Sequence, residues 1–237
     1  MLKNHRRTLL YAAGLLAAMA VLFAAVGRHP PAETPATSLP FIGRWDLDVY
    51  RAMDDIRNVV LSGLARALNV IGGGVVTIPL RALVAVWLAA RRRWRAFATW
   101  ALTWITAEVV LTVAKAYFHR GRPPAPLVAI TGFSFPSGHA VAAAATAVAL
   151  VLVLMPSSPR RRKWELAAVA FAFVMAFSRV YLNAHWLSDV VSGVLLGTGV
   201  ALGSAALVSE VRHHALRRWP TPASIPSSPT PSRAGDS

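Results

Sequence analysis

The chain has 237 residues, 55% hydrophobic and 15% charged, and its mean hydropathy of +0.49 indicates an integral membrane protein rather than a soluble domain. The net charge of +15 comes from basic residues that cluster between apolar runs without a nucleic-acid-binding motif, so we interpret them as cytoplasmic loops and expect no nucleic-acid partner. The absence of cysteine excludes disulfides, thiolate zinc sites and thiol nucleophiles.

The N-terminal region, residues 1–69, is predicted to hold a membrane anchor and an amphipathic segment. Residues 9–26 form an 18-residue run without charge after several basic residues, and this length spans a hydrocarbon core. A cleavable signal peptide is the alternative, but its apolar region is normally shorter, so we expect the run to be retained. In the extracytoplasmic segment 28–69, apolar residues at helical spacing among charged ones predict one interfacial helix, and they are Trp45, Val49, Met53, Ile56 and Val60.

Five further apolar runs complete a predicted all-α membrane bundle of six transmembrane helices plus the interfacial helix. The runs cover residues 71–90, 96–114, 140–155, 166–178 and 189–208, and the fifth of the six spans is expected to extend to residue 182. We expect residues 70–211 to form the functional core. Residues 212–237, of which the last 19 are Pro- and Ser-rich, are predicted to be a disordered cytoplasmic tail.

Arginine-rich loops give the expected orientation. Basic residues concentrate at 91–95, 160–163 and 212–218, and the positive-inside rule places all three segments in the cytoplasm. The segments 115–139 and 179–188 then both face the extracytoplasmic side of the cytoplasmic membrane.

Three polar motifs occur in or beside these two external segments, and each has an ordinary explanation when taken alone. Lys115 and Arg122, seven residues apart, would serve as interfacial anchors. The tetrad "PSGH" at 136–139 would begin a helix. His185 and Asp189, at i and i+4, would form a structural hydrogen-bonded pair. Their convergence on one membrane face is much harder to explain by structure alone.

In this order the three motifs resemble those of the type 2 phosphatidate phosphatase family, which shares its site with vanadium-dependent haloperoxidases. Every chemical position of the pattern K-x6-RP, PSGH, SR-x5-H-x3-D is matched, the last motif being formed by Ser178, Arg179, His185 and Asp189. The resemblance covers roughly residues 70–209. It implies an integral membrane lipid phosphatase, and therefore a lipid phosphate in the bilayer as its partner.

The resemblance also implies roles that suit the chemistry of a phosphate dianion. His185 would attack phosphorus to form a phosphohistidine, and Asp189 would hold the other ring nitrogen protonated. His139 would protonate the leaving oxygen and then activate water. The phosphoryl oxygens would be bound by three cations and two backbone N–H groups, those of Lys115, Arg122, Arg179, Ser137 and Gly138. No spacing assigns a role to the neighbouring residues His119, Arg120 and Asn183.

The same residues also allow other functions to be considered. A two-histidine metal site is disfavoured because Asp189 is the single nearby carboxylate and three cations would repel a divalent ion, so no cofactor or metal is expected. Vanadate-dependent halide oxidation would use the same residues but resembles soluble relatives. A non-catalytic scaffold or transporter would not need His139, His185 and Asp189. The substrate is left among undecaprenyl-type diphosphate, phosphatidate, phosphatidylglycerophosphate and related prenyl phosphates, and the oligomeric state is not indicated.

Two charged residues inside apolar spans give a further prediction. An unpaired charge at that depth would be costly, and Arg81 and Glu108 lie at similar heights in the second and third spans. We therefore expect them to form an ion pair that locks this hairpin. The alternatives are that Arg81 snorkels or that Glu108 is protonated.

Overall fold

A computed structural model describes the backbone of residues 5–26 and 41–218 and the side chains of residues 6–26 and 41–211. Within these ranges every regular element is an α-helix, which confirms that the fold is all-α as predicted. The helices are α1 His5–Ala25, α2 Phe41–Asp55, α3 Val59–Gly72, α4 Gly74–Ala90, α5 Trp94–Phe118, α6 Gly138–Leu154, α7 Pro159–Tyr181 and α8 Leu187–Arg218.

The helices establish a multi-pass membrane protein, but six predicted spans are not confirmed. Within the described ranges, four helices are long and apolar enough to cross a membrane, namely α1, α5, α7 and α8. The pair α3 and α4 is bent by 42° and counts as a fifth span if it crosses once. The bend lies at Gly73, whose extended backbone interrupts the helical hydrogen bonding. Although α6 is apolar, its 17 residues make it shorter than the others.

The prediction of one interfacial helix reaching Val60 was wrong, because α2 ends at Asp55 and α3 begins at Val59. Asn58 separates them, and its side chain accepts a hydrogen bond from the Leu61 N–H group at 2.9 Å. This contact caps the N-terminus of α3 and starts a new helix.

Two helices extend across the boundaries predicted between the segments of the chain. The N-terminal boundary at residues 69 and 70 falls inside α3, and α8 continues through residues 212–218, which the sequence had assigned to the tail. The rest of that tail, residues 219–237, lies outside the described residues, as do residues 27–40 between the anchor and α2.

The alanine-rich helix α6 forms the centre of the bundle, where it packs against α5, α7 and α8. Its contact with α8 is close because two glycines face it. A Cβ atom at Gly193 would lie 2.8 Å from the carbonyl oxygen of Ser137, and one at Gly197 would lie 2.6 Å from that of Val141. Small residues let the backbones approach, and this approach brings the start of α6 against the first turns of α8.

The predicted contact between Arg81 and Glu108 is confirmed, with Nη1 and Oε1 3.0 Å apart. Arg81 is buried, and its Nε also donates to Thr146 Oγ1 at 3.0 Å. The guanidinium carbon lies 5.5 Å from the ring centre of Trp104. The ion pair therefore joins α4 to α5, and the Thr146 contact adds α6.

Candidate active site

The motif residues from the three segments meet at the end of the bundle where α5 and α7 end and α6 and α8 begin. Lys115 and Arg122 donate to the same acceptor, the Phe133 carbonyl oxygen, at 2.5 and 3.0 Å. Arg122 reaches His185, and His185 in turn reaches Asp189. A continuous set of contacts thus links the first and third motifs.

His185 is buried with a charged side chain facing each ring nitrogen, although its Nδ1 makes no aligned hydrogen bond within the described residues. Its Nε2 lies 3.2 Å from Arg122 Nη1, and its Nδ1 lies 3.4 Å from Asp189 Oδ2. Because a guanidinium only donates, Nε2 must carry a lone pair, which puts the ring proton on Nδ1, facing the carboxylate. Burial lowers the pKa of His185 to about 3, although Asp189 opposes this shift. The imidazole is therefore neutral at physiological pH.

The carboxylate of Asp189 has partners at both oxygens. Oδ2 accepts from the Trp186 N–H group at 2.9 Å and from the Ser134 hydroxyl, while Oδ1 accepts from Arg120 Nη1 at 2.6 Å. Arg120, which sequence reasoning left without a role, is thus a direct partner of Asp189. These contacts fix the carboxylate relative to the His185 ring.

Asp46 of α2 is a residue that sequence reasoning missed. Its Oδ2 accepts from Arg120 Nη2 at 2.7 Å, and both groups are almost completely buried. Burial raises the pKa of Asp46, while the Arg120 charge opposes the rise. A signal was available, since Asp46 lies on the same helical face as Val49 and Met53, and a charge on the apolar face of an amphipathic helix needs a partner.

The guanidinium of Arg122 is oriented mainly by backbone carbonyl groups. Nε donates to Gly132 at 2.9 Å, Nη1 to Ala184 at 2.7 Å, and Nη2 to Thr131 at 3.0 Å as well as to Phe133. Burial lowers the pKa of Arg122, with Asp189 opposing the shift. The loop that connects α5 to α6 therefore wraps around this arginine and aims it at His185.

The structure changes the expected contribution of Ser137. Its backbone N–H group was predicted to bind the phosphoryl group, but it donates to the Asp189 carbonyl oxygen at 3.0 Å and is therefore not available to an anion. Its hydroxyl oxygen, however, is buried and has no hydrogen-bond partner within the described residues. Gly138 is the first residue of α6, a position whose N–H group has no acceptor inside the helix.

Arg179 and His139 meet at Asn69, a second residue missed from sequence. Arg179 Nη1 donates to the Asn69 side-chain oxygen, and His139 Nε2 lies 3.1 Å from the Asn69 carbonyl oxygen. Since a carbonyl only accepts, Nε2 of His139 carries a proton. Arg179 is also buried, and its Nε has no partner among the described side chains and backbone. Asn69 lies near the end of α3, just before the bend at Gly73.

His119 and Asn183, the other two residues to which no spacing assigned a role, differ in their exposure to solvent. His119 is exposed at the end of α5, with its ring 4.4 Å from that of Phe133. Asn183 is buried in the turn between α7 and α8, and its side-chain atoms have no partner within the described ranges. Among the residues that the structure describes, no group of three or more His, Asp or Glu side chains is arranged to hold a metal ion.

Fold and site together define a class of protein, a multi-pass helical membrane protein with cationic side chains beside a buried histidine and aspartate. A sequence profile of the PAP2 superfamily matches residues 96–212. The chain is 28% identical over 177 residues to the undecaprenyl-diphosphatase of Sulfolobus acidocaldarius, covering 70% of this chain and 79% of that protein. It is 29% identical over 162 residues to phosphatidylglycerophosphatase B of Bacillus subtilis, covering 64% and 77%.

Solved structures agree with these matches. The crystal structure of a transmembrane PAP2-type phosphatidylglycerolphosphate phosphatase from Bacillus subtilis has a TM-score of 0.69 and 27% identity, covering 86% of this chain and 96% of that one. LpxE of Aquifex aeolicus, with a TM-score of 0.55 and 22% identity over 67% and 93% of the two chains, shares the fold. The chain therefore belongs to the PAP2 superfamily. It is a membrane lipid phosphatase, a hydrolase of phosphoric esters.

Proposed function

We propose that this lipid phosphatase cleaves a phosphomonoester or diphosphate of a phospholipid or isoprenoid lipid through a phosphohistidine on His185. One observation carries the proposal: Nε2 of His185 faces Arg122 at 3.2 Å, while Nδ1 faces Asp189 at 3.4 Å. A neutral imidazole placed in this way presents a lone pair to a cationic side chain and keeps its proton against a carboxylate. A nitrogen nucleophile for phosphorus needs this arrangement.

The phosphoryl oxygens would be bound by donors around this lone pair. The Ser137 hydroxyl and Arg179 Nε are buried donors without protein partners in the described part of the chain, and a phosphoryl oxygen would supply the missing acceptor. Lys115 and Arg122 would exchange some of their carbonyl contacts for phosphate. The N–H group of Gly138 adds a donor at the start of α6, where the helix dipole favours an anion.

The first half of the reaction transfers phosphorus from oxygen to nitrogen. The Nε2 lone pair of His185 forms the N–P bond as the P–O bond to the lipid breaks, and His139 gives a proton to the leaving oxygen. With Nε2 of His139 donating to Asn69, the nitrogen left for this transfer is Nδ1, so His139 has to begin the reaction as an imidazolium with a proton on both ring nitrogens, a form that a nearby phosphate anion favours. Asp189 stabilises the positive charge that develops on the phosphorylated His185 ring.

The second half releases inorganic phosphate. A water oxygen attacks phosphorus, the N–P bond breaks with its electron pair returning to His185, and His139 accepts the proton from water. The enzyme then regains its starting protonation state. Every group in this scheme belongs to the protein or to water, so activity is expected to persist when a chelator is present.

The similar proteins guide the choice of substrates to be tested. One relative is an undecaprenyl-diphosphatase and another a phosphatidylglycerophosphatase, so the panel should hold an isoprenoid diphosphate, phosphatidylglycerophosphate and phosphatidate. Phosphate release by the purified protein is the readout. We expect His185→Ala to abolish release from every substrate. His119→Ala, which alters an exposed residue near the site, serves as the control and should retain phosphate release. Activity of His185→Ala close to that of the control would reject the mechanism.

We further propose that the site faces the extracytoplasmic side, where substrate would arrive by diffusion within the outer leaflet. The orientation is motivated by the arginine-rich segments. Because the chain has no cysteine, single cysteines report on it directly. A cysteine at the exposed Ala125 should react with an impermeant reagent in intact cells, and one at the exposed Ser158 should not. The opposite pattern would place the chemistry in the cytoplasmic leaflet.

A further inference from the structure

A second buried carboxylate is connected to the His185 and Asp189 pair by hydrogen bonds from Arg120. It belongs to Asp46 on α2, a helix that precedes the segment matched by the superfamily profile. Asp46, Arg120 and Asp189 are all nearly inaccessible to solvent, with exposures of 1%, 2% and 0%. Charges buried to this extent normally occur only where they are paired.

The contacts around Arg120 connect the two carboxylates directly. Nη1 donates to Asp189 Oδ1 at 2.6 Å, and Nη2 donates to Asp46 Oδ2 at 2.7 Å. Ser188 closes the arrangement, because its N–H and hydroxyl groups donate to the two Asp46 oxygens at 2.7 and 2.6 Å. The Ser188 oxygen also accepts from Arg120 at 2.7 Å. Both oxygens of Asp46 therefore act as acceptors.

The charges in this cluster matter for the chemistry on His185. Arg120 alone would neutralise Asp189 and leave little negative charge to stabilise a cationic phosphohistidine. With Asp46 present, two carboxylates share the Arg120 guanidinium, so the cluster of these three side chains keeps one net negative charge on the Nδ1 side of the imidazole. Because the guanidinium is planar and rigid, holding Nη2 on Asp46 also fixes the direction of Nη1 toward Asp189.

We propose that Asp46 and Arg120 are positioning residues of this phosphatase, and that Asp46 supplies the counter-charge that leaves the Asp189 charge available to His185. The inference rests on the proposed role of His185 as nucleophile. It extends the functional unit to α2, since a helix outside the matched segment would then tune the reaction. Neither residue touches the substrate.

Asp46→Asn tests the proposal with little change in shape. We expect kcat to fall about 10- to 100-fold and KM to change less than about threefold, because the phosphate-binding cations are untouched. Asp48→Asn is the matched control, since Asp48 is exposed on the same helix. Vanadate, which mimics the trigonal bipyramidal transition state, should bind more weakly in parallel with the loss of kcat, while inhibition by product phosphate stays within threefold. A mere loss of folded enzyme would lower kcat without changing either inhibition constant.

A double variant separates charge compensation from packing. If Asp46 acts by compensating Arg120, then adding Arg120→Gln to Asp46→Asn removes the uncompensated cation and should recover kcat several-fold over Asp46→Asn alone. If the cluster only packs α2 against α8, the second substitution should lower activity further. Ser188→Ala supplies a milder test, because it removes the hydroxyl that donates to the Asp46 carboxylate and so weakens the counter-charge without deleting it. We expect it to lower kcat about two- to fivefold, even if Asp46→Asn cannot be purified in folded form.

His185→Ala, measured alongside, distinguishes failure of this inference from failure of the proposed function. Activity of Asp46→Asn within twofold of Asp48→Asn, with His185→Ala inactive, would overturn the inference and leave the nucleophile in place. An additive loss in the double variant, or unchanged kcat in Ser188→Ala, would overturn it as well. An active His185→Ala would remove the proposed function and the inference together.

Discussion

The two histidines of the site are held in different ways. His185 is buried, and both of its ring nitrogens face charged partners, with Arg122 on one side and Asp189 on the other. His139 is only half-buried, and its Nε2 donates to the Asn69 carbonyl group. A nucleophile has to keep one orientation and one protonation state, whereas an acid that later acts as a base must accept two. The surroundings of each ring suit the role proposed for it.

The supports of the two histidines also come from different helices. Behind His185 lie Asp189, Arg120 and Asp46, which connect it to α2. Asn69, at the end of α3, contacts His139 and Arg179. Both helices precede the segment matched by the superfamily profile, so that segment supplies the motif residues while the preceding helices supply some of their partners. Substitutions at either histidine, or at its supporting residues, therefore test the comparison between the two rings.

The largest effect is expected from His185→Ala. Removal of the nucleophile should lower kcat by about 10⁴-fold or more, since the remaining donors can bind phosphate but cannot form the covalent intermediate. Phosphate release from the lipid panel measures this loss, and a thermal unfolding midpoint close to wild type shows that the fold is retained. A loss smaller than that caused by His139→Ala would reverse the assignment of the two rings.

Asp189→Asn should be the next most severe change, with weak residual activity about 10²- to 10³-fold below wild type. The amide can still contact Nδ1 of His185, but it lacks the charge that stabilises a phosphorylated ring. The same substitution leaves Arg120 with one carboxylate in place of two, so the unfolding midpoint should also fall. Wild-type turnover in this variant would mean that the ring needs no carboxylate.

His139→Ala should lower kcat about 10²-fold for a phosphomonoester, within the usual range for an acid or base. The loss should be smaller for transfer from a diphosphate, because a phosphate leaving group needs less protonation than an alkoxide. Parallel assays of phosphatidylglycerophosphate and an isoprenoid diphosphate with one enzyme preparation measure the ratio. Equal losses for the two substrates would argue against His139 as the acid.

The smallest expected effect concerns stability and pH. The pKa of His185 is about 3 in the folded protein against an ordinary value of 6.5, so below pH 6.5 the unfolded chain binds more protons. The free energy of unfolding attributable to this residue is thus complete above pH 6.5 and is lost progressively toward pH 3. Within this range, acidification by one and a half pH units should lower the free energy of unfolding by about 2 kcal/mol.

Unfolding in detergent over this pH range measures the effect. His185→Gln, which cannot take up the proton, should show a shallower decline of the unfolding midpoint than wild type. His119→Gln, altered at an exposed histidine, should follow the wild-type curve. Parallel curves for His185→Gln and wild type would contradict the low pKa of His185.

Part of the geometry of the candidate site could be predicted because each motif is local in sequence. His185 and Asp189 are one helical turn apart in spacing, and Lys115 and Arg122 flank the start of the loop that connects α5 to α6. The contact of Arg81 with Glu108 was also predictable, because a tight hairpin fixes the relative heights of its two helices. In each case short chain connections determine the geometry.

The remaining features depend on contacts between distant residues. Asp46 lies 74 positions from Arg120, and Asn69 lies 110 from Arg179. No periodicity specifies such partners. The role of the Ser137 N–H group was missed for the same reason, since it depends on the Asp189 carbonyl group across the contact of α6 with α8. The break between α2 and α3 was missed because the apolar residues around Asn58 fit one continuous helix.

The most direct test of the central claim is to trap the covalent intermediate. Enzyme mixed with a lipid substrate labelled at the transferred phosphorus should be quenched in alkali, where phosphohistidine is stable and a phosphoserine ester is not. We predict label on a peptide containing His185 in wild type, more label in His139→Ala with an isoprenoid diphosphate because hydrolysis is slowed, and none in His185→Ala. Label that persists in His185→Ala, or turnover by His139→Ala that leaves no labelled protein at any quench time, would contradict a phosphohistidine on His185.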